Sequence, residues 1–185
     1  MLRNILQDPT VEKVYCCVRG KDHQLKDRLL KTFESRSLGT SLLITDHLEV
    51  LPMRFNEPFL GLTKQHYYQL KKEVTIVQHC AWLLNFNMPI DHFDKECIQP
   101  FYNLLKFAYN EVNPMHVHFV SSVSASALSG PVIAEEPLPL DSHVAMNIGY
   151  SQSKCVVEIL LNYLTAEKKT FLATSSVLVK SVVTL

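Results

Sequence analysis

The amino-acid sequence predicts a doubly wound α/β fold built on a parallel sheet. Three observations carry that prediction. Short apolar runs alternate with longer amphipathic stretches, which is the order that right-handed crossovers require. The short runs are the near-continuous apolar strands of a sheet covered on both faces. The composition, 47% hydrophobic against 19% charged over 185 residues, supplies a core for a single domain. An antiparallel α+β layer is the alternative.

The elements follow in order. Residues 14–18, Val-Tyr-Cys-Cys-Val, read as a strand. Residues 22–35 place Leu25, Leu29, Leu30 and Phe33 at helical spacing. Residues 48–53 form a second apolar run. Residues 63–72 read as a helix with Thr63 as its N-cap, and residues 74–80 as a buried strand. A long helix is expected over 90–110, with Ile98, Phe101, Leu104, Leu105 and Ala108 on one face. Residues 117–122 give another strand, and Pro131, Pro137 and Pro139 make 130–140 a loop. Residues 150–167 read as a helix carrying Val156, Val157, Ile159, Leu160 and Leu164. The remainder, 171–185, is β-prone, with Lys180 as its only charge.

Charge and composition narrow the function. Lys+Arg and Asp+Glu are 18 each, which argues against a basic nucleic-acid binder or a polybasic membrane-surface protein. No stretch approaches the length of a membrane span, and the first ten residues lack an apolar signal core. Five cysteines, an odd number with no zinc-ligand spacing, read as reduced thiols in a cytoplasmic chain. The five glycines are scattered, so neither a GxGxxG dinucleotide turn nor a Walker loop is present.

Tyr150 and Lys154 are the leading chemical candidates. Four residues apart on a helix, they share one face. A neighbouring ammonium favours the phenolate form of a tyrosine, which can then give its proton to a carbonyl oxygen as hydride arrives at the carbon. The spacing alone is weak, because Tyr67/Lys71, Tyr68/Lys72 and Tyr102/Lys106 share it. Context separates Tyr150: it opens its helix after Gly149, downstream of a strand ending in Ser121 and Ser122. Strand C-termini form the ligand crevice of a parallel sheet. Arg19, at the end of the first strand, and Arg28 suit a ribose 2′-phosphate, because guanidinium binds phosphate oxygens in pairs. His116 and His118 lie on one side of a strand, but no carboxylate or thiol completes a metal site. His79 and Cys80 read as a buried pair at a strand end.

Several blocks resemble the thioester reductase branch of the extended short-chain dehydrogenases, in the form found in fungal nonribosomal-peptide-synthetase-like and carboxylic acid reductase proteins. These are Val14-Tyr-Cys-Cys-Val-Arg19, Phe59-Leu-Gly-Leu62, Val77-Gln-His-Cys-Ala-Trp82, Asn85-Phe-Asn-Met88, Phe119-Val-Ser-Ser-Val-Ser-Ala125 and Gly149-Tyr-Ser-Gln-Ser-Lys154. The resemblance implies a Rossmann-like domain that uses NADPH to reduce an acyl thioester on a carrier protein's phosphopantetheine arm, releasing an aldehyde or alcohol. It implies Tyr150 as proton donor and Lys154 as the group that holds the nicotinamide ribose. It implies Ser122, or Ser121 or Ser124 in another register, as the hydroxyl that polarises the carbonyl. Arg19 and Arg28 would hold the 2′-phosphate, and the Cys80-Ala81 backbone would pass beside the cofactor.

The sequence also departs from that family. The resemblance implies a partial NAD(P)-binding reductase domain over 1–170, truncated at both ends, and a divergent β-prone tail over 171–185. The glycine-rich first turn is not matched, so a neighbouring strand is left to be supplied by another chain. Arg54 stands where the family usually carries an Asp that contacts the adenine side. The expectation is therefore a chain inactive by itself. A non-catalytic remnant or interaction module is the alternative, and a nucleotide-sugar epimerase or dehydratase the third reading.

Overall fold

β1 (Val14–Val18) and β2 (Leu48–Pro52) pair in parallel, with Val14 opposite Leu48 and Val18 opposite Pro52. Between them runs α2 (Leu25–Glu34), entered through a 3-10 turn over Asp22–Gln24. Leu25, Leu29 and Phe33 recur every four residues and are buried. A short α1 (Leu2–Leu6) precedes β1. The computed structural model describes residues 1–133, 135–168 and 170–177. The end of the β-prone tail, with Lys180, lies outside the described residues.

The chain divides into two units, Met1–Thr63 and Lys64–Leu185. In the first unit, the Pro58–Gly61 turn holds Phe59, Leu60 and Gly61 at φ of 53°, 59° and 75°. Burial of Leu60 supports a left-handed conformation that side chains otherwise avoid. A Cβ on Gly61 would fall 2.6 Å from the Cβ of Arg54. Arg54 itself bonds Asp22, tying the segment after β2 to the turn that leads into α2.

The second unit carries a three-stranded parallel sheet in the order β3 (Ile76–His79), β4 (His116–Val120), β5 (Leu172–Ser176). Each register is continuous, with Gln78 opposite His118 and His118 opposite Thr174. All described pairings are parallel, which excludes the antiparallel layer. α3 (Lys64–Glu73) leads into β3. Between β3 and β4 the helical stretch is α4 (Ile90–Phe93), a π-helical turn over Asp94–Ile98, and α5 (Gln99–Ala108). The single long helix expected here is interrupted because Pro100 has no N–H to donate to the carbonyl four residues back. α6 (Gly149–Glu167) joins β4 to β5.

The core of this unit is Phe93, Phe101, Met115, Val117, Phe119, Val157 and Leu161. It fills one face of the sheet. On the other face Gln78 and Thr174 are exposed and His116 and His118 half-buried. The expectation of a strand buried on both sides at 74–80 is thereby corrected: Ile76 is 61% exposed. α6 differs in a similar way. Val156 is on its exposed side, while Ser151, Ser153, Lys154 and Cys155 are buried.

Candidate active site

Gly149 places the start of α6. A Cβ there would lie 2.4 Å from the Met88 carbonyl oxygen and 2.8 Å from the Ile90 nitrogen, so only a hydrogen allows the helix so close to the Met88–Ile90 backbone. The next residue, Tyr150, therefore emerges beside the segment that ends in α4. Its ring meets Phe86 edge-on at 5.0 Å and Phe93 at 6.2 Å between centroids. Phe86 is 58% exposed, so this side of Tyr150 opens toward solvent.

One helical turn further, Lys154 is 2% exposed. Its Nζ donates to the Val120 carbonyl oxygen at 2.6 Å, at the C-terminal end of β4. The ring centroids of Trp82 and Phe119 each lie 4.4 Å from the ammonium, an arrangement that partly replaces lost hydration. Burial pulls the Lys154 ammonium down to about 8, while Cys97, Glu158 and Cys80 act in the opposite sense. A side-chain relay fixes the surroundings. Trp82 Nε1 donates to Ser153 Oγ at 3.0 Å, and Ser153 Oγ donates to the Tyr150 carbonyl at 2.6 Å.

The serines after β4 take separate tasks. Ser121 is buried and donates its hydroxyl to Glu158. Ser122 Oγ lies 2.9 Å from Ser124 Oγ and accepts from the Ser124 N–H, capping the turn over Val123–Ala125. Met146 N–H donates to the Ser124 carbonyl at 3.0 Å, which joins this turn to the approach to α6. Glu158 is half-buried. Burial raises its carboxyl above the usual range, and the Ser121 hydroxyl and the Lys154 charge pull it back.

Of the expected residues, Tyr150, Lys154, Ser122, Cys80 and Ala81 belong to the second unit. Cys80 is exposed and Ala81 half-buried, directly after β3. The thiol of Cys80 is within electrostatic range of Lys154. The buried-pair reading of His79 and Cys80 therefore holds only for His79, which stacks among Trp82, Phe101 and Phe119. Arg19 and Arg28 are exposed in the first unit, Arg19 just beyond β1 and Arg28 on α2. His116 and His118 stack at 4.1 Å, and His116 Nε2 bonds the Thr174 hydroxyl at 2.9 Å. Burial and His116 press the His118 imidazole below its usual range. Among the described residues no three metal-ligating side chains cluster.

Sequence reasoning did not single out Glu158 or Phe93, and it marked Phe86 only as part of the Asn85-Phe-Asn-Met88 block. Glu158 had a readable signal, four residues after Lys154 and so on the same helix face. The two phenylalanines become partners of Tyr150 only through the approach at Gly149.

The donor set fits the ribose end of a nicotinamide cofactor. Lys154 has three N–H donors and spends one on Val120, leaving donors for ribose hydroxyls. The buried Ser151 hydroxyl beside Tyr150 also has no hydrogen-bond partner among the described residues.

Comparison with known proteins bears on the fold and the family. The chain is 29% identical over 166 residues to adenylate-forming reductase Nps9 of Serpula lacrymans, covering 87% of this chain and 15% of that protein. It is 27% identical over 173 residues to the non-reducing polyketide synthase pkdA of Emericella nidulans, covering 88% of this chain and 7% of that protein. The chain thus spans a small part of these relatives. Its fold matches the terminal R domain from the myxalamid PKS-NRPS biosynthetic pathway with a TM-score of 0.76 at 24% identity, over 95% of this chain and 43% of that one. The PhqB reductase domain from Penicillium fellutanum matches with a TM-score of 0.68 at 20% identity, over 94% and 43%. The fold is therefore the Rossmann-like one of such reductase domains. The profile of the NAD-binding family described as Male sterility protein matches residues 1–179, and the chain belongs to that family.

Proposed function

We propose that the chain is part of an NADPH-dependent thioester reductase that releases a carrier-bound acyl group as an aldehyde or alcohol. One observation supports this most: Lys154, buried and held by the Val120 carbonyl, lies one helical turn beyond Tyr150. Names among the relatives support it too. They include an adenylate-forming reductase and the 3-methylorcinaldehyde synthase tropA of Talaromyces stipitatus, whose name contains an aldehyde.

When bound, the cofactor supplies a hydride to the thioester carbon. The Tyr150 hydroxyl gives its proton to the carbonyl oxygen, and the Lys154 ammonium stabilises the phenolate left behind. The Ser122 hydroxyl donates to the same oxygen. Breaking the C–S bond then frees the pantetheine thiol and the aldehyde, and a second reduction gives the alcohol. Arg19 and Arg28 take the 2′-phosphate, which selects NADPH over NADH. The Cys80-Ala81 backbone runs beside the cofactor.

The sequence has no glycine-rich phosphate turn, so steady NADPH consumption by these 185 residues alone is not expected. Among the described residues, β1 is paired only by β2 and β3 only by β4, and a strand from another chain can extend either edge. The test is fluorescence titration of the folded chain with NADPH and with NADH. The reading expects tighter binding of NADPH and its loss in Arg19→Ala. Absence of binding up to millimolar NADPH would leave a non-catalytic interaction module as the better account.

A further inference from the structure

We propose that Glu158, one helical turn away, is a positioning residue for Lys154: anchored by the Ser121 hydroxyl, its carboxylate is the counter-charge that keeps the buried amine protonated for its bond to the Val120 carbonyl. The catalytic meaning of this role rests on the reductase reading above, but the arrangement does not.

Two links join the end of β4 to α6, and they come from adjacent residues. Val120 accepts from Lys154 through its main chain, and Ser121 donates to Glu158 through its side chain. Ser121 is itself fixed, because its N–H donates to the Ser176 carbonyl at 2.8 Å on the neighbouring strand. Glu158 is thus held from a rigid sheet, one turn along α6 from Lys154, on the same face.

Among the described residues in range of Lys154, Glu158 is the one carboxylate. The ammonium meets the Val120 carbonyl and the faces of Trp82 and Phe119. The ionisable groups in range are the thiols of Cys97, in the π-helical turn, and Cys80, after β3, together with Glu158. Glu158 also bonds Ser121, and both it and Asp141 act electrostatically on the Cys155 thiol. A buried ammonium without a counter-charge is costly, so removing the carboxylate shifts Lys154 toward its neutral form.

Trp82 makes this measurable without cofactor or substrate. It is the single tryptophan of the sequence, and its ring lies 4.4 Å from the Lys154 Nζ. Its emission, excited where tyrosine does not absorb, is followed against pH in the folded chain. A step near pH 8 that disappears in Lys154→Met assigns the signal to Lys154. In Glu158→Gln, which keeps an acceptor for Ser121, the midpoint is expected to fall by about one pH unit. Ser121→Ala is expected to move it in the same direction by less, and serves alone if Glu158→Gln does not fold. Glu158→Asp is expected to restore part of the shift. An unchanged midpoint in both Glu158→Gln and Ser121→Ala overturns the proposal, as does a wild-type step that survives Lys154→Met. Either result leaves the reductase reading standing. Loss of NADPH binding with the pH shifts intact has the opposite meaning.

Discussion

Lys154 and Val120 are joined by a 2.6 Å hydrogen bond from a buried ammonium to a main-chain carbonyl. The bond fixes where the ammonium sits relative to the end of β4, and burial sets its charge. An amine at about 8, against 10.5 for ordinary lysine, binds fewer protons in the folded than in the unfolded chain between those pH values. Unfolding then takes up protons, so the Lys154 contribution makes stability rise with pH across that window. The destabilising effect is fully present below pH 8 and reaches at most about 3 kcal/mol. Urea unfolding from pH 7 to 10.5 should show wild type gaining on Lys154→Met. Parallel curves for the two proteins would contradict the burial argument.

Tyr150→Phe keeps the ring against Phe86 and Phe93 and removes only the hydroxyl. The melting temperature should be nearly unchanged. Where another chain completes the domain, thioester-dependent NADPH oxidation should drop at least about hundredfold, the usual scale for a lost general acid. A large loss of stability with little loss of rate would make Tyr150 a packing residue.

Gly149→Ala forces a methyl group to within 2.4 Å of the Met88 carbonyl oxygen. The backbone on both sides must move apart, at a cost of about 1–3 kcal/mol or more. Denaturant midpoints measure this directly. Because Tyr150 follows, the variant should also lose the Tyr150–Phe86 ring contact, seen as changed near-ultraviolet dichroism.

Cys80 is exposed, while Cys97 and Cys155 are buried. Alkylation followed by mass spectrometry should modify Cys80 well before the other two, which should react only on unfolding. If the cofactor lies along Cys80-Ala81, NADPH should slow the reaction at Cys80. Equal rates with and without NADPH would remove that segment from the cofactor site.

The strands and helices were legible wherever period and propensity agreed. Leu25, Leu29 and Phe33 announce α2, and the short apolar runs announce β1, β2 and β4. The break at Asp94–Ile98 had its signal in Pro100, yet apolar spacing continues across it and masks it. The burial pattern of α6 was not readable. Ser153 and Lys154 occupy its inner face, where polar residues are not expected, because Trp82, Val120 and Phe119 form a lining suited to them. The pairing of Ser121 with Glu158 likewise depends on the register between a strand and a helix 37 positions apart. In the same way Arg54 is a charge in the sequence, and only folding shows that it ties down Asp22.

The anchor of Lys154 is an atom that every amino acid carries. No replacement of the Val120 side chain can delete it, so a library of variants at position 120 should retain the lysine's geometry as long as the strand persists. Position 121 is different, because its link to Glu158 needs a hydroxyl. Two neighbouring positions in one strand thus differ sharply in their tolerance to mutation, although both serve the same lysine.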